Sequence, residues 1–294
     1  MKKYFKLLIV IPILFLSNSC KNEANIKHYT GEIIDLHNHV FFDEELGAFS
    51  DTHKGTPEEI IELTKNTPIK KSGIITMAQK GQIEKTRKKN DRIIKLAKNN
   101  TQFIPICSVH PDDGEAALAE MERVAKLGVR FIKLHPNTQH FDVSSLQVIK
   151  VVEKAGTLNL IILLEGTFVI DAGGLGKYLN LVIPHPNTKF IFTHMGGTQF
   201  SDMQIFMILN KYNWYKRNVW FDIAGTVAEY ANSPYEEQLI WTMEKIGTDR
   251  IIFGSDFPLY EPAKTLESFY SLGLSEKIEK QILHDNYYDV LKTK

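Results

Sequence analysis

The sequence predicts a single-domain (β/α)8 barrel, the TIM-barrel class. Three observations predict it. Eight short apolar runs recur along the chain, a helical pattern follows each, and no two runs adjoin as a hairpin. The first run is EIIDLH (32–37). TPEEIIELTKN follows it, with Thr56 as N-cap and Pro57 at the first helical position. SGIITMA (72–78) and QFIPICSV (102–109) are the second and third strands. DDGEAALAEMERVAKLG then reads as a helix closed by Gly128. VRFIKLH (129–135), NLIILLE (159–165), KFIFTH (189–194), NVWFDIA (218–224) and RIIFGS (250–255) complete the set. Right-handed crossovers would close it. A doubly wound open sheet is the alternative, but no G-x-G-x-x-G follows the first strand. GGLGK (173–177) lacks P-loop spacing and reads as a loop and helix start.

The barrel occupies residues 32–294. Residues 1–20, MKKYFKLLIVIPILFLSNSC, stand apart. Lys2, Lys3 and Lys6 precede an apolar run from Leu7 to Leu16, too short for a bilayer span of about 20 residues. With Cys20 this segment resembles a bacterial lipoprotein signal, which implies lipidation at Cys20. Leu16 sits one place further from the cysteine than the usual pattern has it. The alternative is an ordinary secretory signal with a chance cysteine. Both readings export the protein, and the first tethers it to a membrane of the bacterial cell envelope. Residues 21–31, KNEANIKHYTG, read as a polar tether.

Acidic and basic residues are equal in number, 35 each, which gives no electrostatic footprint for nucleic acid. Beyond Cys20 the sole cysteine is Cys107, so no disulfide framework exists. Cys107 lies within FIPICSV and reads as a small buried hydrophobe. The remaining partner is a small molecule, and the composition leaves a homo-oligomer open.

In such a barrel the active site forms at the C-terminal ends of the strands. His37 and His39 close the first run, His135 the fourth, Glu165 the fifth and His194 the sixth, and the eighth runs into Asp256. Residues two apart on a strand share a face, so His37 and His39 can both look into the mouth. Imidazole nitrogens and carboxylate oxygens are the donors that zinc and similar ions take, and catalytic sites keep a position open. A nearby carboxylate then accepts a proton and an imidazole polarises a carbonyl or protonates a leaving group. Lys133 and His135 share a strand face, and both read as substrate-binding. Lys133 has two further readings, an ion-pair partner inside the barrel and a carbamylated bridge between two metals. Asp222 either faces the site or caps the seventh turn. Asn286 reads as an anchor for the last helix, Arg130 as structural, and His110, His140, His185 and His284 as surface or capping residues. The long segment FFDEELGAFSDTHKGTPEE reads as part of a lid, with Phe41 and Phe42 as walls of a substrate pocket.

IIDLHNHV, FIPICSVHP, GVRFIKLHP, FTHMGG, VWFDIAG, IIFGSDFP and ILHDNYYDVL occur in that order. Together they resemble the amidohydrolase-related family of metal-dependent barrels, which holds hydrolases and non-oxidative decarboxylases. The resemblance implies one divalent metal, often zinc. It makes His37 and His39 metal ligands, lets Asp256 hold the metal or its water, and makes His194 a ligand or the catalytic imidazole. One position departs from the pattern. The family's fifth strand usually ends in a metal-binding histidine, and here it ends in Glu165. Either Glu165 is an oxygen ligand, which would favour a harder ion such as Mn²⁺ or Mg²⁺, or the site has fewer protein ligands or has degenerated. The leading expectation is a metal-dependent hydrolase of an amide, lactone or ester. Its rivals are a decarboxylase or other lyase with the same metal shell, and a lipoprotein that only binds a ligand.

Overall fold

The computed structural model describes residues 27–47, 49–167 and 174–292. The expected signal, Cys20 and residues 21–26 of the expected tether lie outside the described residues. Among the described residues, eight parallel strands form one sheet in sequential order. They are β1 (Ile33–His39), β2 (Ile69–Ile75), β3 (Phe103–Ser108), β4 (Phe131–Leu134), β5 (Ile161–Leu164), β6 (Lys189–Phe192), β7 (Val219–Asp222) and β8 (Ile251–Ile252). Helices connect them, and the single-domain TIM barrel is the observed architecture.

Both faces of each strand are covered, which is why the runs read as almost continuously apolar. Ile161 and Leu163 of β5 join Ile34, Leu36 and Ile191 in a cluster inside the barrel. Ile162 and Leu164 belong to the outer layer, packed with helix residues such as Val151 and Leu181. Cys107 is fully buried in this outer layer, and burial pushes its thiol well up.

β1 breaks the alternation. Asp35 pairs with Ser72 and Asn38 with Ile74, so three steps along β1 match two along β2. This bulge lets both Leu36 and His37 point inward, where regular pleating would send one of them out. The Asp35 carboxylate pins it, accepting from the Ser255 hydroxyl (2.6 Å), the Ser255 amide (2.9 Å) and the His37 amide (3.3 Å).

The later strands end sooner than their apolar runs. His135 and Glu165 therefore stand on the first residues beyond β4 and β5, and His194 on the second residue beyond β6, in the turn that follows the strand. β8 pairs with β7 over two residues only. The chain beyond it crosses to β1, where the Leu36 amide donates to the Phe253 carbonyl (3.0 Å) and the Asp256 amide to the His37 carbonyl (2.8 Å). Those bonds close the barrel and carry Asp256 to the mouth.

Local chemistry explains the other departures. Gly114 (φ +56°) breaks the DDGEAALAEMERVAKLG run, so the helix begins at Glu115 and ends at Lys126. His110, buried rather than on the surface, caps the short turn before it by accepting from the Asp112 amide. Asn286 anchors the last helix through bonds to the Thr248 and Ile251 carbonyls. Arg130 donates to the Asn159 and Leu291 carbonyls, a structural role. Residues 27–31 of the expected tether are docked chain. The buried Glu279 carboxylate binds the Tyr29 amide (2.7 Å) and the His28 ring (2.8 Å), and Tyr270 donates to the Tyr29 carbonyl (2.6 Å). No helix among the described residues is long and apolar enough to cross a membrane.

Thr56 and Glu59 form a reciprocal capping box at the start of the helix Pro57–Thr64. Thr56→Ala should lower the unfolding free energy by about 1 kcal/mol in urea titration, with an unchanged m-value.

Candidate metal centre and its cavity

His37 is fully buried, and its Nδ1 donates to the Asp222 carboxylate (3.0 Å), leaving Nε2 on the cavity side. That Nε2 lies 3.2 Å from His39 Nε2 and 3.5 Å from Asp256 Oδ1. The third side of the triangle, His39 to Asp256, is 3.7 Å. Ligand atoms on one tetrahedral ion with bonds near 2.0–2.2 Å stand roughly 3.3 Å apart. The triangle has that size. His37, His194 and Asp256 form an overlapping set, with donor atoms all within 4.8 Å of one another. Two imidazoles and a carboxylate at this spacing fit a divalent ion.

Asp222 faces the site and also ties its neighbours together. Its Oδ1 accepts from the His194 amide (2.8 Å) and the Ala224 amide (3.2 Å). Burial would raise its carboxyl, but His37 more than reverses that and holds it below the usual carboxylate range. His194 donates from Nδ1 to the Ala224 carbonyl (2.8 Å), which turns Nε2 into the cavity. His194 (φ 60°) and Asp256 (φ 70°) both hold left-handed backbone conformations, which non-glycine residues adopt at a cost and which cluster at functional sites.

The titratable groups are strongly coupled. Burial opposes charge on His194, but the nearby Glu165 and Asp256 carboxylates outweigh it and raise its ring to about 10. Burial raises Asp256, against the pull of His194 and His37. Burial holds His39 well below the usual imidazole range and His135 at about 4. Asp35, behind the triangle, is raised to about 7 by burial despite its Ser255 bonds.

Three of the expected site residues have partners or positions that the sequence did not give. Glu165 does not join the donor sets. Its Oε2 accepts from Lys133 Nζ (3.1 Å) and Thr193 Oγ1 (2.9 Å), and its Oε1 from Thr167 Oγ1 (2.7 Å). Burial would raise it, yet His194, Lys133 and His135 hold it well below the carboxylate range. It is the anion of a buried pair, and its Oε2 also stands 3.4 Å from His194 Nε2 and 3.6 Å from His135 Nε2 at the edge of the cavity. Lys133 is fully buried and does not line the cavity. Its contacts are those of an ion-pair partner inside the barrel. Phe41 does not line the cavity either; it stacks behind Phe49 (centroids 4.9 Å apart), and Phe49 forms the wall. Phe42 turns away, beneath the Arg92 guanidinium.

His39, His135, His194 and Asp256 open onto a cavity of about 500 Å³ walled by Phe49, Met77, Leu259 and Tyr260. Such a volume suits a small organic molecule. His135 is among the residues lining it. Met77, Phe49, Tyr260 and Glu229 were not legible as site residues: Met77 sits in an apolar run, Phe49 and Tyr260 in loops, and Glu229 on a short helix. Lys133 and Glu165 were legible in part, as charges embedded in FIKLH and IILLE on neighbouring strands. β4 and β5 pair Lys133 with Leu163, which sets Glu165 diagonally beside the lysine on the same inner face.

A family model described as Amidohydrolase (Amidohydro_2) matches residues 34–292. The chain belongs to this amidohydrolase family. Solved structures share its fold at low sequence identity. A dihydroxybenzoic acid decarboxylase from Polaromonas, with manganese and 2-nitroresorcinol bound, aligns at a TM-score of 0.69 and 17% identity, covering 89% of this chain and 97% of that one. A 5-carboxyvanillate decarboxylase from Sphingomonas paucimobilis aligns at 0.66 and 14% identity, covering 90% and 99%. An Acinetobacter baumannii protein described as a probable 2-pyrone-4,6-dicarboxylic acid hydrolase aligns at 0.65 and 15%, covering 88% and 99%. No curated protein sequence matches the chain.

Two outcomes test this description of the amidohydrolase site. Elemental analysis of the purified protein should find about one equivalent of divalent metal, lost in the His37→Ala/His39→Ala variant while circular dichroism stays native. Lys133→Met strands Glu165 as a buried unpaired anion and should cost about 3–5 kcal/mol in denaturant unfolding, whereas Lys133→Met/Glu165→Gln should recover most of it. An additive double variant would mean that the pair is not coupled.

Proposed function

We propose that this amidohydrolase is a metal-dependent hydrolase of a small carbonyl compound, an amide, lactone or ester. The His37–His39–Asp256 triangle at the floor of the cavity carries the reading. When bound there, a divalent ion supplies Lewis acidity. Zinc suits the two imidazoles, and manganese or magnesium remains compatible with the carboxylate.

The protein's own groups divide the remaining work. Asp222 fixes the His37 tautomer, so that Nε2 rather than Nδ1 faces the ion. Asp256, raised by burial, is positioned to take a proton from the attacking water as its oxygen bonds to the carbonyl carbon. His194, with Nδ1 held by the Ala224 carbonyl, turns Nε2 toward the departing group, to which it can return a proton. The Lys133–Glu165 pair adds no net charge but sets a carboxylate 3.4 Å from His194 Nε2, which favours the protonated ring. Phe49, Met77 and Leu259 present apolar surface on one side of the cavity.

The second reading is a non-oxidative decarboxylase or other lyase. The apolar walls support it, since Phe49 and Met77 would accept the face of an unsaturated ring. The product separates the two: CO₂ identifies the lyase, and an amine, alcohol or second acid identifies the hydrolase. Asp256→Asn should lower kcat by roughly 10²–10⁴-fold with near-native thermal unfolding, since it removes the proton acceptor but keeps the side-chain volume. Full activity in that variant would remove Asp256 from the chemistry.

A further inference from the structure

The floor and the rim of the cavity offer different groups. At the floor His39, His135 and His194 stand beside the Asp256 and Glu165 carboxylates, where the candidate metal position would receive a carbonyl or carboxylate. At the rim the short helix Thr226–Tyr230 presents Glu229, and the loop beyond β8 presents Tyr260. The Tyr260 hydroxyl donates to Glu229 Oε1 (2.6 Å). Gly225 makes that arrangement possible. Its φ is +67°, and a Cβ there would stand 3.2 Å from the Tyr260 ring and 3.7 Å from His194 Nδ1. The tyrosine thus lies over the backbone next to the catalytic imidazole, and its partner carboxylate forms part of the same wall.

The chemistry of the pair is one-sided. With the phenolic proton given to Glu229, what remains for a ligand is the tyrosine oxygen's lone pairs and the other lone pairs of a carboxylate. Both are acceptors, and one carries a full negative charge. None of the described residues lining the cavity is a lysine or arginine, and the nearby Lys133 is already paired with Glu165. A second anionic group on a substrate would find no cation at the rim.

We propose that Glu229 and Tyr260 form a specificity subsite that reads a hydrogen-bond donor on the substrate, a hydroxyl or N–H, and excludes compounds with a second carboxylate remote from the reacting group. This rests on the cavity being the substrate site, as proposed above, and it narrows the substrate class to small carbonyl compounds with a hydrogen-bond donor at the far end. One unit charge a few ångströms away in a partly wet site is worth about a factor of ten in affinity.

The test uses two matched probes, 4-hydroxybenzoate and terephthalate, titrated calorimetrically into the purified metal-loaded protein. Each carries one carboxylate for the floor, and they differ at the far end in a hydroxyl against a carboxylate. 4-Hydroxybenzoate should bind about tenfold more tightly or better, and the ratio should shrink as salt screens the rim. Glu229→Gln should bring the two affinities to within about threefold of each other, and Tyr260→Phe should leave the charge preference in place. Terephthalate binding as well as 4-hydroxybenzoate, a ratio unchanged in Glu229→Gln, or no binding of 4-hydroxybenzoate at millimolar concentration would each overturn the subsite. Binding is read without turnover. A protein that keeps the preference but hydrolyses nothing would defeat the hydrolase reading and leave this one standing.

Discussion

The Asp222 carboxylate holds the mouth of this barrel together. One oxygen takes the His37 ring and the other takes the His194 backbone, so a single buried anion on β7 positions groups delivered by β1 and β6. A buried carboxylate is costly unless its lone pairs are filled, and these are filled by the residues the site has to place. The orientation of His37 Nε2 and the left-handed turn at His194 are both consequences of satisfying it. Removing that charge would release the imidazoles before any ion or substrate was involved.

The fold was legible because parallel barrel strands must be apolar on both faces, so IILL, FIKL and VWFD stand out against their helices. The ligand candidates were legible for the same reason, since His37, His39, His194 and Asp256 interrupt or end runs that would otherwise be core. What escaped depends on pairings between distant parts of the chain. The bulge that turns His37 inward needs Asp35 to meet Ser255, 220 residues later. Two-residue periodicity gave the right answer for the His37–His39 pair, but by itself it would not have put Leu36 on the same side as His37.

Glu165 shows a different limit. From the sequence it stood at a ligand position and invited a reading as a ligand or as the mark of a lost site. The neighbouring strand supplies a partner that the reading lacked, because Lys133 forms a salt bridge with it and the register of β4 and β5 sets both side chains on the same inner face. A charge inside a barrel is read correctly only with its partner, and the partner here is 32 residues away. The same holds for the pocket wall. Phe41 and Phe49 lie in one loop of uniform composition, and only their stacking decides which of them meets the solvent side.

The docking of residues 27–31 has a consequence for how the molecule is oriented. Lys27, His28 and Tyr29 are held by Glu276, Glu279 and Tyr270, beside the entry to β1 and thus on the face opposite the cavity. A label or resin coupled at residue 27 would sit on the strand-entry side of the barrel. The mouth, on the other side, would stay clear of it.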